Sequence, residues 1–159
     1  MPEPVSHCRG LTRRRLLEQA LAACGCLAAG LAFADDAARA AAAQAAIDAI
    51  VGDRGVADGE LELTTPAIAE NGNTVPIAVA AGGRFRGDTY VKAIHVFAVE
   101  NPTPEVVSFH FTPQSGLAQV STRIRLAKTQ QVVAIAELSD GQVWRTANEV
   151  KVTIGGCGG

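Results

Sequence analysis

The stretch Gln119-Val120-Ser121-Thr122-Arg123-Ile124-Arg125-Leu126-Ala127 decides the fold class, because apolar and polar residues alternate along it. Side chains of an extended strand point alternately to the two faces of its sheet. The even-numbered residues from Val120 to Leu126 therefore share one face, and Arg123 and Arg125 share the other. This pattern predicts a half-buried antiparallel strand whose arginines form a solvated face or a partner surface.

Similar short runs, separated by turn residues, continue from Glu60 to the C-terminus. Tyr90–Val99 is apolar on both faces, which predicts a strand in the centre of a sheet. Pro76 has no backbone N–H to donate to a neighbouring strand, which predicts that its own strand lies at a sheet edge. Asn71-Gly72-Asn73 and Asp140-Gly141 have turn chemistry, and the second fits a hairpin. Seven or eight strands predict a mainly β, immunoglobulin-like antiparallel β-sandwich. The predicted strands lie near residues 60–64, 74–81, 90–99, 106–112, 119–127, 131–138, 142–145 and 148–154.

The N-terminus reads as an export signal. Residues 12–18, Thr-Arg-Arg-Arg-Leu-Leu-Glu, precede an apolar stretch that ends in Ala32-Phe33-Ala34. Paired arginines before such a stretch are typical of a twin-arginine signal peptide, so we expect cleavage after Ala34 and a periplasmic protein. Lipidation at Cys24, within Leu21-Ala22-Ala23-Cys24, is the alternative, but it would leave an apolar segment on the mature protein.

Four segments follow from these patterns: a signal peptide (1–34), a helix and linker (35–59), the sandwich (60–154) and a C-terminal arm (155–159). Ala37–Val51 predicts a short N-terminal helix, with Ile47 and Ile50 on one side and Gly52 as its stop. A flexible alanine-rich tether is the alternative for this segment.

Composition and charge exclude several classes of function. The chain is 48% hydrophobic and 19% charged, which is typical of a globular protein, and its net charge is −2. Without a basic stripe, neither nucleic acid nor an anionic membrane is a predicted partner. His95 is predicted to be a packed core residue, and His110 to face away from the phenylalanines beside it. With no cysteine or carboxylate cluster near these histidines in the sequence, we predict no metal, no cofactor and no enzymatic activity.

The arm carries the functional prediction. After cleavage at Ala34, Cys157 is the one cysteine that remains, and an unpaired exported cysteine indicates a thiol kept for chemistry or for intermolecular pairing. Glycine flanks predict a thin, flexible arm whose five residues reach roughly 17 Å when extended. No neighbouring cation activates the thiol, so we predict a covalent attachment point that partner enzymes act on. The flanking glycines are Gly155, Gly156, Gly158 and Gly159.

Several stretches together resemble the SoxY family, the carrier subunits of the bacterial Sox system for thiosulfate oxidation. The arm is the most specific of them, and the resemblance covers essentially the whole mature chain. The stretches are Gly155–Gly159, Val120–Leu126, Leu138–Gly141, Glu149–Ile154, and Glu70–Gly72 followed by Val75-Pro76.

This resemblance implies an immunoglobulin-like sandwich that forms a heterodimer with a SoxZ-like subunit. It implies that a SoxAX-like haem enzyme joins thiosulfate oxidatively to Cys157, and that a SoxB-like enzyme then hydrolyses off sulfate. A sulfane dehydrogenase-like enzyme would oxidise the sulfur that remains. By motif, Cys157 is the attachment residue and the four glycines form the swivel.

Two other functions fit parts of the sequence. A ubiquitin-like sulfur carrier also ends in Gly-Gly, but such proteins are cytoplasmic and need no cysteine. A secreted immunoglobulin-like binding or scaffold module with a free C-terminal thiol fits the fold and leaves the arm unexplained.

Overall fold

The computed structural model describes residues 35–57, 59–82 and 89–154. The chain divides into two units, residues 1–36 and 37–159, and of the first unit only Asp35 and Asp36 are among the described residues. The predicted signal peptide and the predicted arm lie outside the described residues. The four predicted segment boundaries stay a prediction.

The first described element is helix α1, over residues 35–51, followed by a 3₁₀ turn at Gly52–Arg54. Ala43 and Ile47 are buried, and Ile50 packs beside them, so one stripe of the helix is apolar. Gly52 has φ 56°, a left-handed conformation that glycine adopts without strain and that ends the α-helix here. The predicted short N-terminal helix is confirmed.

Two β-sheets form the body of the second unit. In the described residues, one sheet has three strands in the order β1-β3-β6, and the other has five in the order β2-β8-β7-β4-β5. All neighbouring strands are antiparallel except β2 and β8. The predicted mainly β, immunoglobulin-like sandwich is confirmed. The strands are β1 (Leu61–Thr64), β2 (Ile68–Ala69), β3 (Val75–Ala81), β4 (Val91–Ala98), β5 (Glu105–His110), β6 (Ala118–Ile124), β7 (Gln130–Leu138) and β8 (Val143–Val152).

The alternating stretch behaves as predicted. Along β6, Ala118 and Ile124 are buried, Val120 and Thr122 are half-buried, and the residues between them are exposed. Leu126, just beyond the strand, is fully buried. The alternation therefore sets which face of β6 meets the core.

Strand β4 is buried on both faces, as its composition predicts, and the helix explains why. Its inner face joins the main core between the sheets, where Ile94 and Val96 are fully buried. On the outer face, Phe97 packs in a second cluster with Ile47 of α1 and Val133 of β7. Within the described residues, none of the helices combines the length and the apolar character that crossing a lipid bilayer requires.

The predicted edge position of Pro76 is wrong. Strand β3 lies in the middle of the three-stranded sheet, between β1 and β6. However, β1 ends at Thr64, opposite Ala78, so Pro76 has a paired strand on one side only, where it faces Arg123. The proline therefore occupies a local edge inside a central strand, which is where a missing backbone donor is tolerated.

One further prediction about the strands is wrong, and one strand was missed. The predicted strands at 142–145 and 148–154 are one strand, β8, which pairs with β7 without interruption from Val143 to Val150. Strand β2 was not predicted, because two residues, Ile68-Ala69, carry no alternation that sequence reasoning can detect. The Asp140-Gly141 hairpin turn is confirmed: Gly141 has φ 90°, and the N–H of Leu138 donates to the carbonyl of Gln142 at 2.9 Å.

Candidate functional site

The predicted site residues Cys157, Gly155, Gly156, Gly158 and Gly159 lie outside the described residues. The structure describes the chain as far as Ile154, and thus the point from which the arm departs. Val152, Thr153 and Ile154 are here called the arm base. The hydrogen bonds of these three residues determine how firmly the arm is attached to the sandwich.

On one side, the arm base is bound to the segment from Ala67 to Gly72. The N–H of Thr153 donates to the carbonyl of Ala69 at 3.0 Å, and the hydroxyl of Thr153 donates to the carbonyl of Glu70 at 2.8 Å. The carbonyl of Ile154 accepts from the N–H of Gly72 at 2.7 Å. These bonds continue the short parallel pairing of β2 with β8 beyond the last strand residue.

On the other side, the arm base contacts Thr129. The N–H of Val152 donates to the hydroxyl oxygen of Thr129 at 2.9 Å. Because β8 pairs with β7 only as far as Val150, this side chain takes over where the backbone ladder ends. Thr129 therefore anchors the second edge of the arm base.

The loop that carries Thr129, residues 125–130, is held by two buried amide side chains. Asn101 donates to the carbonyl of Arg125 at 2.8 Å and accepts from the N–H of Ala127 at 2.9 Å. Gln130 donates to the Asn101 side-chain oxygen at 2.9 Å. Asn101 is 5% exposed and Gln130 is 4% exposed, so these bonds are made out of water. This support could not be inferred from the sequence, because Asn101 and the loop belong to separate elements.

A turn completes the surroundings of the arm base. The side chain of Asn71 accepts from the N–H of Asn73 at 2.9 Å, as in an Asx-turn, and Gly72 is buried within it. The carbonyl of Gly72 accepts from the N–H of Leu126 at 2.8 Å. The predicted turn at Asn71-Gly72-Asn73 is confirmed, and it joins the arm base to the three-stranded sheet.

A second polar cluster surrounds His95. His95 is 8% exposed, on the helix-facing side of β4 that holds Phe97, so its burial is as predicted. Its Nδ1 lies 2.7 Å from the Ser108 hydroxyl, which donates to Glu105 at 2.6 Å. Its Nε2 lies 3.2 Å from a carboxylate oxygen of Glu137. Two carboxylates, of Glu105 and Glu137, thus lie near His95, although both are distant from it in the sequence.

The same cluster fastens helix α1 to the sheet. Arg54 contacts Glu137 at 2.8 Å and also donates to the carbonyls of Ile50 and Val51 at the end of the helix. Burial alone would raise the pKa of Glu137, but the hydrogen bonds and charges of Arg54 and His95 outweigh it and hold that pKa below its ordinary value. Among the described residues, no group of three or more His, Cys, Asp or Glu side chains could hold a metal ion. The arrangement is thus suited to holding elements together.

The two arginines of the alternating stretch are exposed. Arg123 and Arg125 lie on the solvent face, as the alternation predicts. Arg125 directly precedes Leu126, so its backbone is linked to the arm base through the hydrogen bonds of Gly72 with Leu126 and Ile154.

Comparison with known proteins identifies the family. A model of the sulfur oxidation protein SoxY matches residues 47–157, a range that ends at Cys157. The chain belongs to the SoxY family. The structure of the sulfur carrier protein SoxY from Chlorobium limicola f thiosulfatophilum is 34% identical, with a TM-score of 0.58, and the alignment covers 70% of this chain and 96% of that one. Members of this family are sulfur carrier proteins of sulfur oxidation. Among curated proteins, no sequence matches significantly.

More distant structures share the fold alone. The superoxide reductase (neelaredoxin) from Ignicoccus hospitalis is 16% identical, with a TM-score of 0.51, and the alignment covers 58% of this chain and 79% of that one. A variant of the same protein is 17% identical, with a TM-score of 0.54, and covers 60% and 82%. These likenesses place the SoxY family chain in a widely used β-sandwich and carry no functional argument.

Proposed function

We propose that this SoxY family protein is a periplasmic carrier that holds thiosulfate-derived intermediates covalently on Cys157. The observation that carries the proposal is the family match, whose matched residues extend to Cys157. The anchored arm base supports it, because both edges of the chain are bonded as far as Val152 and one edge as far as Ile154. An attachment residue three positions further on would then be tethered to a fixed point.

The proposed reactions take place at the sulfur atoms carried by Cys157, and partner enzymes catalyse them. The Cys157 thiol and thiosulfate together lose two electrons and one proton, and a sulfur–sulfur bond forms; a haem-containing partner takes the electrons. The product on the arm is an S-thiosulfonate with one negative charge. Hydrolysis of its terminal sulfonate by a second partner would release sulfate and leave a persulfide on Cys157.

The proposal includes a heterodimer with a SoxZ-like subunit and action by SoxAX-like, SoxB-like and sulfane dehydrogenase-like enzymes. Each of these partners must reach the same sulfur atom in turn. Cys157 is the third residue after Ile154, so its backbone can extend roughly 10 Å from that fixed base, and the glycines beside it permit many directions. That reach suits delivery of one sulfur atom to several separate active sites. Export through the twin-arginine pathway, with cleavage after Ala34, would place the carrier in the periplasm.

Intact mass spectrometry tests the proposal. Mature protein should be purified from cells grown with thiosulfate and measured before and after treatment with a thiol reductant. We expect a mass increase that matches a thiosulfate or sulfane adduct, that maps to Cys157 and that the reductant removes. The variant Cys157→Ser should show no adduct. The same spectra would report the N-terminal cleavage site.

An unmodified thiol in every sample would contradict the carrier function. In that case the protein would act as a secreted binding module whose C-terminal thiol is not loaded. Growth on thiosulfate separates the two functions independently: C157S should abolish it for a carrier and leave it unchanged for a binding module.

A further inference from the structure

Strand β5 stands at one end of the five-stranded sheet and begins with a bulge. Its pairing with β4 shifts by one residue between Val107 and Glu105, so Val106 is an extra residue. In a regular strand, side chains three residues apart point to opposite faces of the sheet. The extra residue instead brings Glu105 onto the face of Ser108, whose hydroxyl donates to the Glu105 carboxylate at 2.6 Å. One side-chain hydrogen bond therefore spans the bulge.

His95 connects this bulge to the next strands of the sheet. Its Nδ1 lies 2.7 Å from the hydroxyl oxygen of Ser108, and its Nε2 lies 3.2 Å from a carboxylate oxygen of Glu137. The contacts between Glu105, Ser108, His95 and Glu137 thus form one continuous series. The charged and titratable groups around His95 are Glu105 and His110 of β5, Glu137 of β7, and Arg54 of the turn after α1.

This series of three contacts requires three protons. Each hydrogen bond needs one proton between its two heavy atoms, and an ionised carboxylate only accepts. The Ser108 hydroxyl supplies one proton, and a neutral imidazole supplies one more, whichever tautomer it adopts. An imidazolium supplies two, and all three contacts are then hydrogen bonds. The observed contacts therefore fit a His95 ring that carries a proton on each nitrogen.

The carboxyl group of Glu137 does not supply the third proton. Burial raises its pKa, but the hydrogen bonds and charges of Arg54 and His95 outweigh burial and hold that pKa below its ordinary value. Glu137 is therefore ionised across the range of roughly pH 5–8 in which histidines ordinarily change charge. An imidazolium also balances the cluster, because His95 and Arg54 then offset the charges of Glu105 and Glu137.

We propose that the second ring proton of His95 holds the bulged start of β5 in place, so that this end of the sheet responds to pH. When the ring loses that proton, the remaining one stays on Nε2, because the Glu137 side chain is 21% exposed and the Glu105 side chain is 50% exposed. The Ser108 hydroxyl then donates to Nδ1, which can only accept. Glu105 loses its donor and turns to solvent. The stabilisation is present at low pH and is lost as the pH rises.

The amide of Ala98 reports the state of the bulge. It donates to the carbonyl of Pro104, which directly precedes Glu105, at 2.8 Å. Ala98 is buried, so its amide exchanges with solvent deuterium only when the start of β5 separates from β4. Its protection, the intrinsic exchange rate divided by the measured rate at each pH, therefore measures how firmly the bulge is held.

The first experiment follows the ring and the bulge together. The ring nitrogens of His95 are observed by NMR in nitrogen-15-labelled mature protein from about pH 5.5 to about pH 8.5, and His110→Gln assigns the signals. Exchange of the Ala98 amide is measured over the same range. We expect two ring protons on His95 at the acidic end and one, on Nε2, at the alkaline end. The protection of Ala98 should fall about three- to tenfold as the ring titrates.

The second experiment supplies the missing proton by substitution. In Glu105→Gln the amide donates to the Ser108 oxygen, the Ser108 hydroxyl donates to Nδ1, and Nε2–H donates to Glu137. All three contacts are then hydrogen bonds with a neutral ring. We expect the protection of Ala98 in this variant to vary less than about twofold over the whole range. Glu62→Gln, at an exposed position on β1 of the other sheet, is the matched control and should keep the wild-type pH dependence.

Several results would overturn the proposal. One is a His95 ring that carries a single proton at the acidic end, because the three contacts then cannot all be hydrogen bonds. Another is a protection of Ala98 that does not change while the ring titrates. Glu105→Gln protein that keeps the wild-type pH dependence would show that the bulge does not depend on this proton. Loss of the pH dependence in His110→Gln would assign the response to His110 instead.

Discussion

The N–H of Gly72 donates to the carbonyl of Ile154 at 2.7 Å, and the carbonyl of Gly72 accepts from the N–H of Leu126 at 2.8 Å. Gly72 therefore connects the last described residue of the chain to the segment that follows β6. The arm base belongs to one sheet and Leu126 follows a strand of the other. Both sheets thus hold the point from which the arm departs.

Thr129→Val should loosen the arm base. The substitution keeps the shape of the side chain but removes the oxygen that accepts from the N–H of Val152 at 2.9 Å. One hydrogen bond of this kind contributes about 1 kcal/mol to stability. We expect the free energy of unfolding to fall by about that amount, and the amide of Val152 to exchange faster with deuterium.

Thr103→Val is the matched control for this prediction. Thr103 is exposed, and the described structure gives its hydroxyl no hydrogen-bond partner. The control should leave both the stability and the exchange of the Val152 amide unchanged. Equal exchange rates in wild-type and Thr129→Val protein would mean that this side chain does not anchor the arm base.

Asn101→Ala should destabilise the loop at residues 125–130. It would leave the carbonyl of Arg125 and the N–H of Ala127 without their buried partner. Because buried polar groups without partners are costly, we expect a loss of about 2–3 kcal/mol in the free energy of unfolding, measured by urea denaturation. Asn73→Ala, at an exposed position, should cost much less; comparable losses for the two variants would contradict the role assigned to Asn101.

Local patterns predicted most of the fold. Alternation in β6, the apolar run of β4 and the glycine turn at Asp140-Gly141 each depend on neighbouring residues and were recognised correctly. The pattern divides strand β8 in two because Thr146 and Asn148, on its less exposed face, are polar, so apolar character lapses in the middle of a strand whose backbone pairing continues. Backbone hydrogen bonds do not depend on side-chain polarity, so the pattern of apolar and polar residues does not show that the pairing of β8 with β7 continues.

The tertiary polar contacts could not be predicted. His95 and Glu137 are 42 residues apart, and Asn148 donates to the carbonyl of Leu63 from 85 residues away. Such pairs depend on strand register and sheet packing, which the sequence specifies only through the whole fold.

Gly59→Ala should destabilise the sandwich through one contact. A Cβ atom built on Gly59 would overlap the indole ring of Trp144, and a rigid ring must shift to make room. Overpacking of this kind typically costs about 1–3 kcal/mol, which thermal or urea unfolding would detect. In a Trp144→Ala background the same substitution should cost far less. An equal cost in both backgrounds would show that the ring is not the obstacle.

The Glu137–Arg54 ion pair should make stability depend on pH. The contacts with Arg54 and His95 hold the pKa of Glu137 below its value in the unfolded chain. The contribution of Glu137 to stability is therefore fully present above the unfolded pKa and is lost as pH falls through the folded pKa. Because both side chains are partly exposed, we expect Glu137→Gln to cost about 1 kcal/mol at pH 7. The difference between wild type and variant, measured by urea unfolding, should shrink below about pH 4. Glu149→Gln, an exposed control on β8, should cost less at pH 7. A wild-type advantage that persists at pH 2 would mean that packing, and not charge, explains the role of Glu137.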